Sequence, residues 1–435
     1  MAVHTQSPDD AVRTLSEAFD GRKVAELAGR GEVAAIQAHL DGLCEKTSAA
    51  GPGGIDLCAL LRGRTDGPPS AGSGRALERP LRPHVRPLGS DAFLKAHRLA
   101  HGLSSARPIR GTIDAIPCDA FTNETVIGAC LTTGCGRGML EAAVPLRAAC
   151  VCRSGSFAVG YQITGACDGG ELQRYPVCGN ETEFVLAVLG QAILSLAHLQ
   201  REHGFVHGDL KTANVLVRGR RDPGARGARC AVPGPGGEAR TFELAPSPFL
   251  VALSDFGTSA ATFPALSSGA ERRTRYFSYR RLPWVPAPLG LLYSRRVRTA
   301  AETFTIGAAR PRPLFYRRLR HSPGLEFPTL DTYTLLVSLA FEDAFFRHFT
   351  ADPVVRRAWA GIWIEGELEI AESRIARVRA TVVPRVRATI GAALHVLEGL
   401  HLRSDATTIF ADALTAVLIE RGLGAWVPGG LGEGG

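Results

Sequence analysis

The chain opens on apolar positions spaced three and four apart. In DDAVRTLSEAF and again in EVAAIQAHLDGLCEK they fall on one helical face, with Gly29 and Gly31 between the two stretches, so the pattern predicts two short amphipathic helices. Residues 47–74 are rich in Gly, Pro and Ser and read as a linker, with the folded core expected to begin near their end. From about 75 to 168 the pattern changes to short apolar runs (DAFLKAH, AACVC, SFAVGYQIT) between turn residues, with one helical segment at NETVIGACL. That describes a small sheet with a helix.

The next stretch, EFVLAVLGQAILSLAHLQREHG, repeats at helical intervals through Val185, Val188, Leu189, Ala192, Ile193, Leu196 and Leu199, a long core helix stopped at Gly204. Residues 218–240 are basic and rich in Gly and Pro between the strand-like runs VLV and FLVAL, and predict a flexible insertion in a hairpin. Helical patterning returns at TLDTYTLLVSLAFEDAFF, after about residue 325. No internal repeat is present.

Composition bounds this picture without redirecting it. With 435 residues, 45% hydrophobic and 21% charged, the chain is long enough for two or more lobes around sizeable cores. The formal charge of +8 comes from scattered arginines, so a solvated basic surface is the expectation and nucleic acid is not an expected partner. MAVHTQSPDDAV lacks the layout of a signal peptide, and no apolar run approaches the roughly 20 residues that cross a bilayer. The expectation is an intracellular protein without a membrane span. Ten cysteines show no CxxC pair, which points away from zinc and from a disulfide framework, with Cys150 and Cys152 read as reduced strand residues.

Candidate chemistry concentrates after the long helix. The sequence there is FVHGDLKTANVLV, and Asp255, in LSDFGTSA, follows Asn214 by 41 residues. His207, Asp209, Leu210 and Asn214 match the catalytic loop of protein kinases, and Asp255, Phe256 and Gly257 match the metal-binding triplet of that family. Phosphoryl transfer needs an acceptor hydroxyl held in line with the γ-phosphate and positive charge to offset the spreading negative charge. The resemblance makes Asp209 the base that orients the hydroxyl, Lys211 a point charge near the γ-phosphate, and Asn214 and Asp255 the oxygen ligands of Mg²⁺. His207 then braces the loop. The chain has three asparagines and four lysines against 46 arginines, and one of each rare type falls on this motif.

The resemblance extends to an ATP-binding half. Gly72 and Gly74 would open a phosphate-covering loop, although Leu77 stands where a third glycine is usual. Lys95, the only lysine between Lys46 and Lys211, fits the nucleotide-anchoring lysine, with Glu124 as its carboxylate partner. Alignment of GGEL puts Thr164 near the adenine and Gly165 to Cys167 at a hinge whose backbone would bond the base. Asp331 looks like the aspartate that begins a buried helix and braces the catalytic loop. The implied fold is α+β and bilobal: an N-terminal extension (1–65), a β-rich lobe (66–168) and a mostly helical lobe (169–430) with insertions at 218–248 and 258–330.

Within residues 68–345 the compact HGDLKTANVLV, the long insertion before SDFGTS and DTYTLLVSLA resemble Ser/Thr protein kinases of large nucleocytoplasmic DNA viruses, relatives of the poxvirus virion kinases. That implies ATP and Mg²⁺ as cofactors, viral or host proteins as substrates, and host cytoplasm or virion as location. Three features depart from the family: Gly208 replaces the usual arginine, no Ala-Pro-Glu follows the Asp-Phe-Gly, and 258–330 is long and arginine-rich. Within it YFSYRRLPWVP is expected to pack on the large lobe, with substrate binding as the alternative. Two rival functions remain. Aminoglycoside and choline kinases share the HGD-x-x-x-x-N frame, and a pseudokinase scaffold would explain the incomplete glycine loop.

Overall fold

A computed structural model describes residues 8–49, 58–59, 61, 84–88, 91–99, 114–134, 142–154, 157–177, 179–219, 228–233, 239–264, 273–278, 290–298, 301–309 and 328–427. It is a mixture of helices and small sheets, an α+β arrangement. The chain divides into two compact units, one formed by 1–134, 144–167 and 262–279, the other by 135–143, 168–261 and 280–435.

In the first unit, three helices precede the sheet: α1 (Pro8–Ala18), α2 (Gly21–Arg30) and α3 (Val33–Ala49). Two were expected. The additional helix is GRKVAELAGR, whose glycines hide its short apolar face; Asp20 caps its start by accepting from Lys23 N–H, and Gly31, at φ 76°, ends it. Strands β1 (His84–Pro87), β2 (Ala92–Leu99) and β3 (Asp114–Cys118) follow, then α4 (Ala120–Gly134), β4 (Leu146–Ser154) and β5 (Phe157–Gly165). An antiparallel sheet runs β1-β2-β5-β4, with Lys95 opposite Val85 and Gln162. Helices α1 and α3 pack on β4, and α2 packs on α4, so these helices share the core of the sheet.

One expectation about cysteines is corrected here. Cys152, on β4, is disulfide-bonded to Cys58 with Cα atoms 5.6 Å apart, whereas Cys150 is a buried thiol. A pair 94 residues apart leaves no spacing signature in the sequence.

The second unit begins with the two-residue strand β6 (Gly170–Glu171) and the long α5 (Glu181–His203), capped by Asn180 and by left-handed Gly204. By length and composition α5 is apolar enough to cross a membrane, contrary to the reading that no such run exists, but 78% of its most apolar window is buried inside the protein. It is a core helix. Strands β7 (Val215–Gly219), β8 (Arg229–Pro233), β9 (Ala239–Leu244) and β10 (Phe249–Leu253) come next, and β11 (Ala260–Pro264) then leads back into the first unit. The pair β7–β10 is the expected hairpin, but its insertion carries the strands β8 and β9, which pair with each other instead of forming a wholly flexible loop.

Strand β12 (Arg273–Ser278) returns to the first unit and pairs in parallel with β3. Tyr276, from the aromatic–basic run, is buried there and donates to Ala28 O, so this part of the run packs in the first unit, not on the large one. The second unit resumes with β13 (Gly290–Arg298) and β14 (Ala301–Ala309). It continues through α6 (Thr329–Leu339), α7 (Asp343–Ala351), α8 (Pro353–Gly361), α9 (Glu367–Thr381), α10 (Pro384–Arg387) and α11 (Ile390–Leu397). It closes with β15 (His401–Arg403), α12 (Ala406–Glu420) and β16 (Gly424–Trp426), the last pairing with β9. Leu244 of β9 and Leu418 of α12 meet α5 at Gly190.

Candidate active site

The residues of HGDLKTAN and SDFG converge at one end of the β7–β10 ladder. Leu253 pairs with Val215, so Asn214 and Ser254 flank the last rung and Asp255 stands one residue beyond. Ser254 ties the two segments by donating both N–H and Oγ–H to Asn214 O, at 2.9 and 3.1 Å. Behind them the rings of Phe205, His207 and Phe256 pack together with centroids 5.8–6.1 Å apart. An apolar backing of this kind holds the loop without competing for its polar groups.

Asp331 fixes the loop backbone. It lies in the first turn of buried α6, where the helix dipole favours a carboxylate, and accepts His207 N–H at 2.5 Å and Gly208 N–H at 3.0 Å. Thr258 and Ser259 hydroxyls donate to His207 O from the opposite side, at 3.1 and 3.0 Å. Ser338 Oγ, on α6, accepts Thr212 N–H at 3.2 Å. Sequence reasoning placed Asp331 but missed Ser254, Thr258, Ser259 and Ser338. The available signal was their position: three of them lie within four residues of Asp255.

His207 is a brace. Its Nε2 meets Ser254 O at 2.8 Å, and a carbonyl can only accept, so Nε2 carries the proton and Nδ1 accepts from Asp209 N–H at 3.4 Å. Burial pushes its pKa below the ordinary value of 6.5, against the opposing pull of Asp209. The ring is therefore neutral.

Gly208 explains one departure from the kinase pattern. Its φ is +79°, and a Cβ there would lie 2.9 Å from Thr258 O, so an arginine cannot occupy this backbone without displacing it. Asp255 is the only non-glycine residue with positive φ among the described residues, at φ 66°, ψ 61°. Such a conformation costs free energy and is retained where neighbouring structure imposes it.

Asp209 is 5% exposed and its two oxygens differ. Oδ2 accepts from Lys211 Nζ at 2.5 Å and from Asn214 Nδ2 at 3.3 Å, while buried Oδ1 has no hydrogen-bond partner among the described residues. Asn214 Nδ2 also donates to Asp209 O at 2.8 Å. These bonds use the nitrogen end of the amide; among the described residues no hydrogen bond holds its Oδ1. Asn214 and Asp255 thus offer two hard oxygen ligands at one ladder end. Both are donors of the hard type that Mg²⁺ takes, and among the described residues no group of three His, Cys, Asp or Glu could hold a metal ion.

In the first unit, Lys95 and Glu124 form the expected pair. Lys95 Nζ lies 2.8 and 2.7 Å from the two Glu124 oxygens, and both residues are buried. His97, two residues along β2 from Lys95, lies 3.7 Å from Glu124 and bonds Gln162 Oε1 at 3.0 Å, while Gln162 Nε2 donates to Thr125 Oγ1 at 2.9 Å. This surrounding network was not anticipated, though the alternation of Lys95 and His97 on one strand was its signal.

Thr164 is half-buried near the end of β5, opposite Phe93 and Leu146. Gly165 N–H donates to Pro145 O at 2.9 Å and Ala166 N–H to Asp91 O at 2.8 Å, so these two hinge donors are already used; Cys167 is buried. Gly72 and Gly74 lie outside the described residues.

The fold and site define an α+β protein with a braced Asp–Lys–Asn loop beside an Asp-Phe-Gly turn. Compared with models of known protein families and with curated protein sequences, the chain matches none.

Proposed function

We propose that the protein is an ATP-dependent protein kinase with a bilobal kinase fold, transferring the γ-phosphate to Ser/Thr hydroxyls of viral or host proteins. The observation that carries this reading is Asp209: one oxygen is clamped by Lys211 and Asn214, and the other, buried Oδ1, is unpartnered among the described residues. A buried acceptor without a donor is costly unless a ligand supplies one. A substrate hydroxyl does so, and the same oxygen then takes its proton. Clamping Oδ2 fixes the direction of Oδ1, which is what positioning an in-line nucleophile requires.

Lys211 in this reading does two things: it holds Asp209 and, on nucleotide binding, places an ammonium close to the transferring phosphoryl group. Asn214 Oδ1 and the Asp255 carboxylate would hold Mg²⁺, which when bound neutralises charge on the nucleotide phosphates. Lys95, oriented by Glu124, anchors the nucleotide. The buried carboxylate beside it holds the ammonium in one place through two hydrogen bonds, at 2.8 and 2.7 Å.

A phosphotransferase acting on small hydroxyl compounds is the second reading, favoured by the glycine in His207-Gly208-Asp209. The left-handed backbone at Gly208 accounts for that glycine through local geometry, independent of substrate. Purified protein with labelled Mg·ATP is expected to label casein or a basic protein and to leave aminoglycosides and choline unmodified. The reverse pattern would replace this proposal with the second reading, and nucleotide binding without any transfer would favour a scaffold.

A further inference from the structure

Helix α4, which carries Glu124, has no solvent face in its first three turns: every residue from Phe121 to Leu131 is buried. A helix buried on all sides, its polar Thr122, Asn123, Glu124 and Thr125 included, is covered on all sides. One side meets the sheet, where a Cβ at Gly160 would lie 2.6 Å from Phe121 and one at Gly128 would lie 3.4 Å from Leu146. The opposite side is covered by α2. A Cβ at Gly21, where α2 begins, would lie 3.5 Å from Thr133 at the end of α4; one at Gly31, where α2 stops, would lie 3.4 Å from Ile116, just before α4. The two helices therefore run antiparallel along their lengths.

The end of α2 is fastened by β12. Tyr276 Oη donates to Ala28 O at 2.8 Å and Thr274 Oγ1 donates to Gly29 O at 2.9 Å. Both are carbonyls of the last helical turn; Ala28 O also accepts the capping Gly31 N–H at 3.0 Å, so Tyr276 adds a second donor there while Thr274 reaches the carbonyl beside it. Both donors are buried, and β12 is itself paired in parallel with β3, the strand that leads into α4. Helix α4 is thus enclosed by a closed circuit: β3 before it, α2 over it, and β12 joining the two. Strand β12 lies only 15 residues after Asp-Phe-Gly ends, in the segment that switches many kinases.

We propose that α2 and β12 are a built-in brace that positions Glu124 against Lys95, with Thr274 and Tyr276 as the positioning residues. The inference rests on the kinase reading for its functional consequence. The carboxylate is delivered to Lys95 by intramolecular packing, and the segment after Asp-Phe-Gly serves as part of that packing instead of as a phosphorylation-dependent switch.

The test uses the full chain with Tyr276→Phe and Thr274→Val combined, since both keep side-chain volume and remove only the two hydroxyl donors. Amide hydrogen exchange over residues 120–131 is expected to speed up by about thirtyfold, the equilibrium factor of two buried hydrogen bonds of average net strength. The KM for Mg·ATP is expected to rise by a similar factor. In a Glu124→Gln background, the same double substitution should leave the KM unchanged, because the pair it positions is already broken. Unchanged exchange in 120–131, or a KM effect that multiplies with that of Glu124→Gln, would overturn the brace. If the parent protein binds no Mg·ATP and transfers no phosphate, the kinase reading fails by itself, and the exchange measurement alone decides whether α2 and β12 hold α4.

Discussion

At the scale of single residues, the proposed catalytic loop depends on one backbone conformation that ordinary side chains resist. Gly208 has φ +79° and no room for a Cβ against Thr258 O. Gly208→Ala is expected to lower the unfolding free energy by about 1–3 kcal/mol, from the left-handed penalty plus the displaced carbonyl. Urea unfolding measures it, and a variant as stable as the parent would mean the loop relaxes without cost. His207 makes the loop sensitive to acid. Its folded pKa is depressed by burial, so the unfolded chain takes up the proton first, and stability is fully present above the ordinary value of 6.5. It is lost as pH falls from there toward the lower folded value, by up to about 1.4 kcal/mol per pH unit for one proton. Protonation also sets an Nδ1–H against Asp209 N–H. Buried His198 is shifted in the same direction, chiefly by desolvation, and contributes its own slope. His207→Gln, which keeps a donor but does not titrate, should flatten the stability profile between pH 6.5 and 5.5; an unchanged slope would assign the effect to His198.

At the scale of elements, α6 holds the loop through one carboxylate. Asp331→Ala leaves the buried N–H groups of His207 and Gly208 without their acceptor, at about 1–3 kcal/mol each. Denaturation should show that loss, and surviving folded protein should transfer phosphate more slowly with little change in nucleotide affinity. A stable variant with normal turnover would show that Thr258 and Ser259 suffice. This part of the loop was legible in the sequence, because HGDLKTAN resembles a motif of fixed spacing and Asp331 opens an apolar helical run. The Lys95–Glu124 pair was legible for a similar reason, since lysine is rare in this chain and the next helix offered a buried carboxylate. What escaped the sequence was non-local. Helix α2 lies in a glycine-bearing stretch with a short apolar face, β3–β12 joins residues about 160 positions apart, and Cys58 meets Cys152 from a Gly/Pro-rich region. Such pairings depend on distant partners and leave no local period. Strands β8 and β9 were hidden in the same way, under Gly and Pro that mark the ends of their hairpin.

At the scale of the whole molecule, the proposed kinase needs no activating modification. Gly208 offers no guanidinium to a phosphorylated segment, and β12 is already sheet-paired. Phosphatase treatment, with phosphate loss verified by mass spectrometry, should leave the transfer rate within about twofold of the untreated protein, well short of switching by loop ordering. A fall to near zero, restored by rephosphorylation, would show that a phosphate orders contacts absent here.

In the proposed kinase Asp209 acts on the hydroxyl and Asp255 on the metal, and one comparison separates those roles. Mg·ATP binding by thermal shift and γ-phosphate transfer to casein are measured together for the parent, Asp209→Asn and Asp255→Ala. Asp209→Asn is expected to bind Mg·ATP like the parent but to transfer about 10²- to 10⁴-fold more slowly, the usual contribution of a general base, while Asp255→Ala is expected to lose Mg²⁺-dependent binding. Transfer by Asp209→Asn within a few-fold of the parent, or parent-like binding by Asp255→Ala, would contradict those roles.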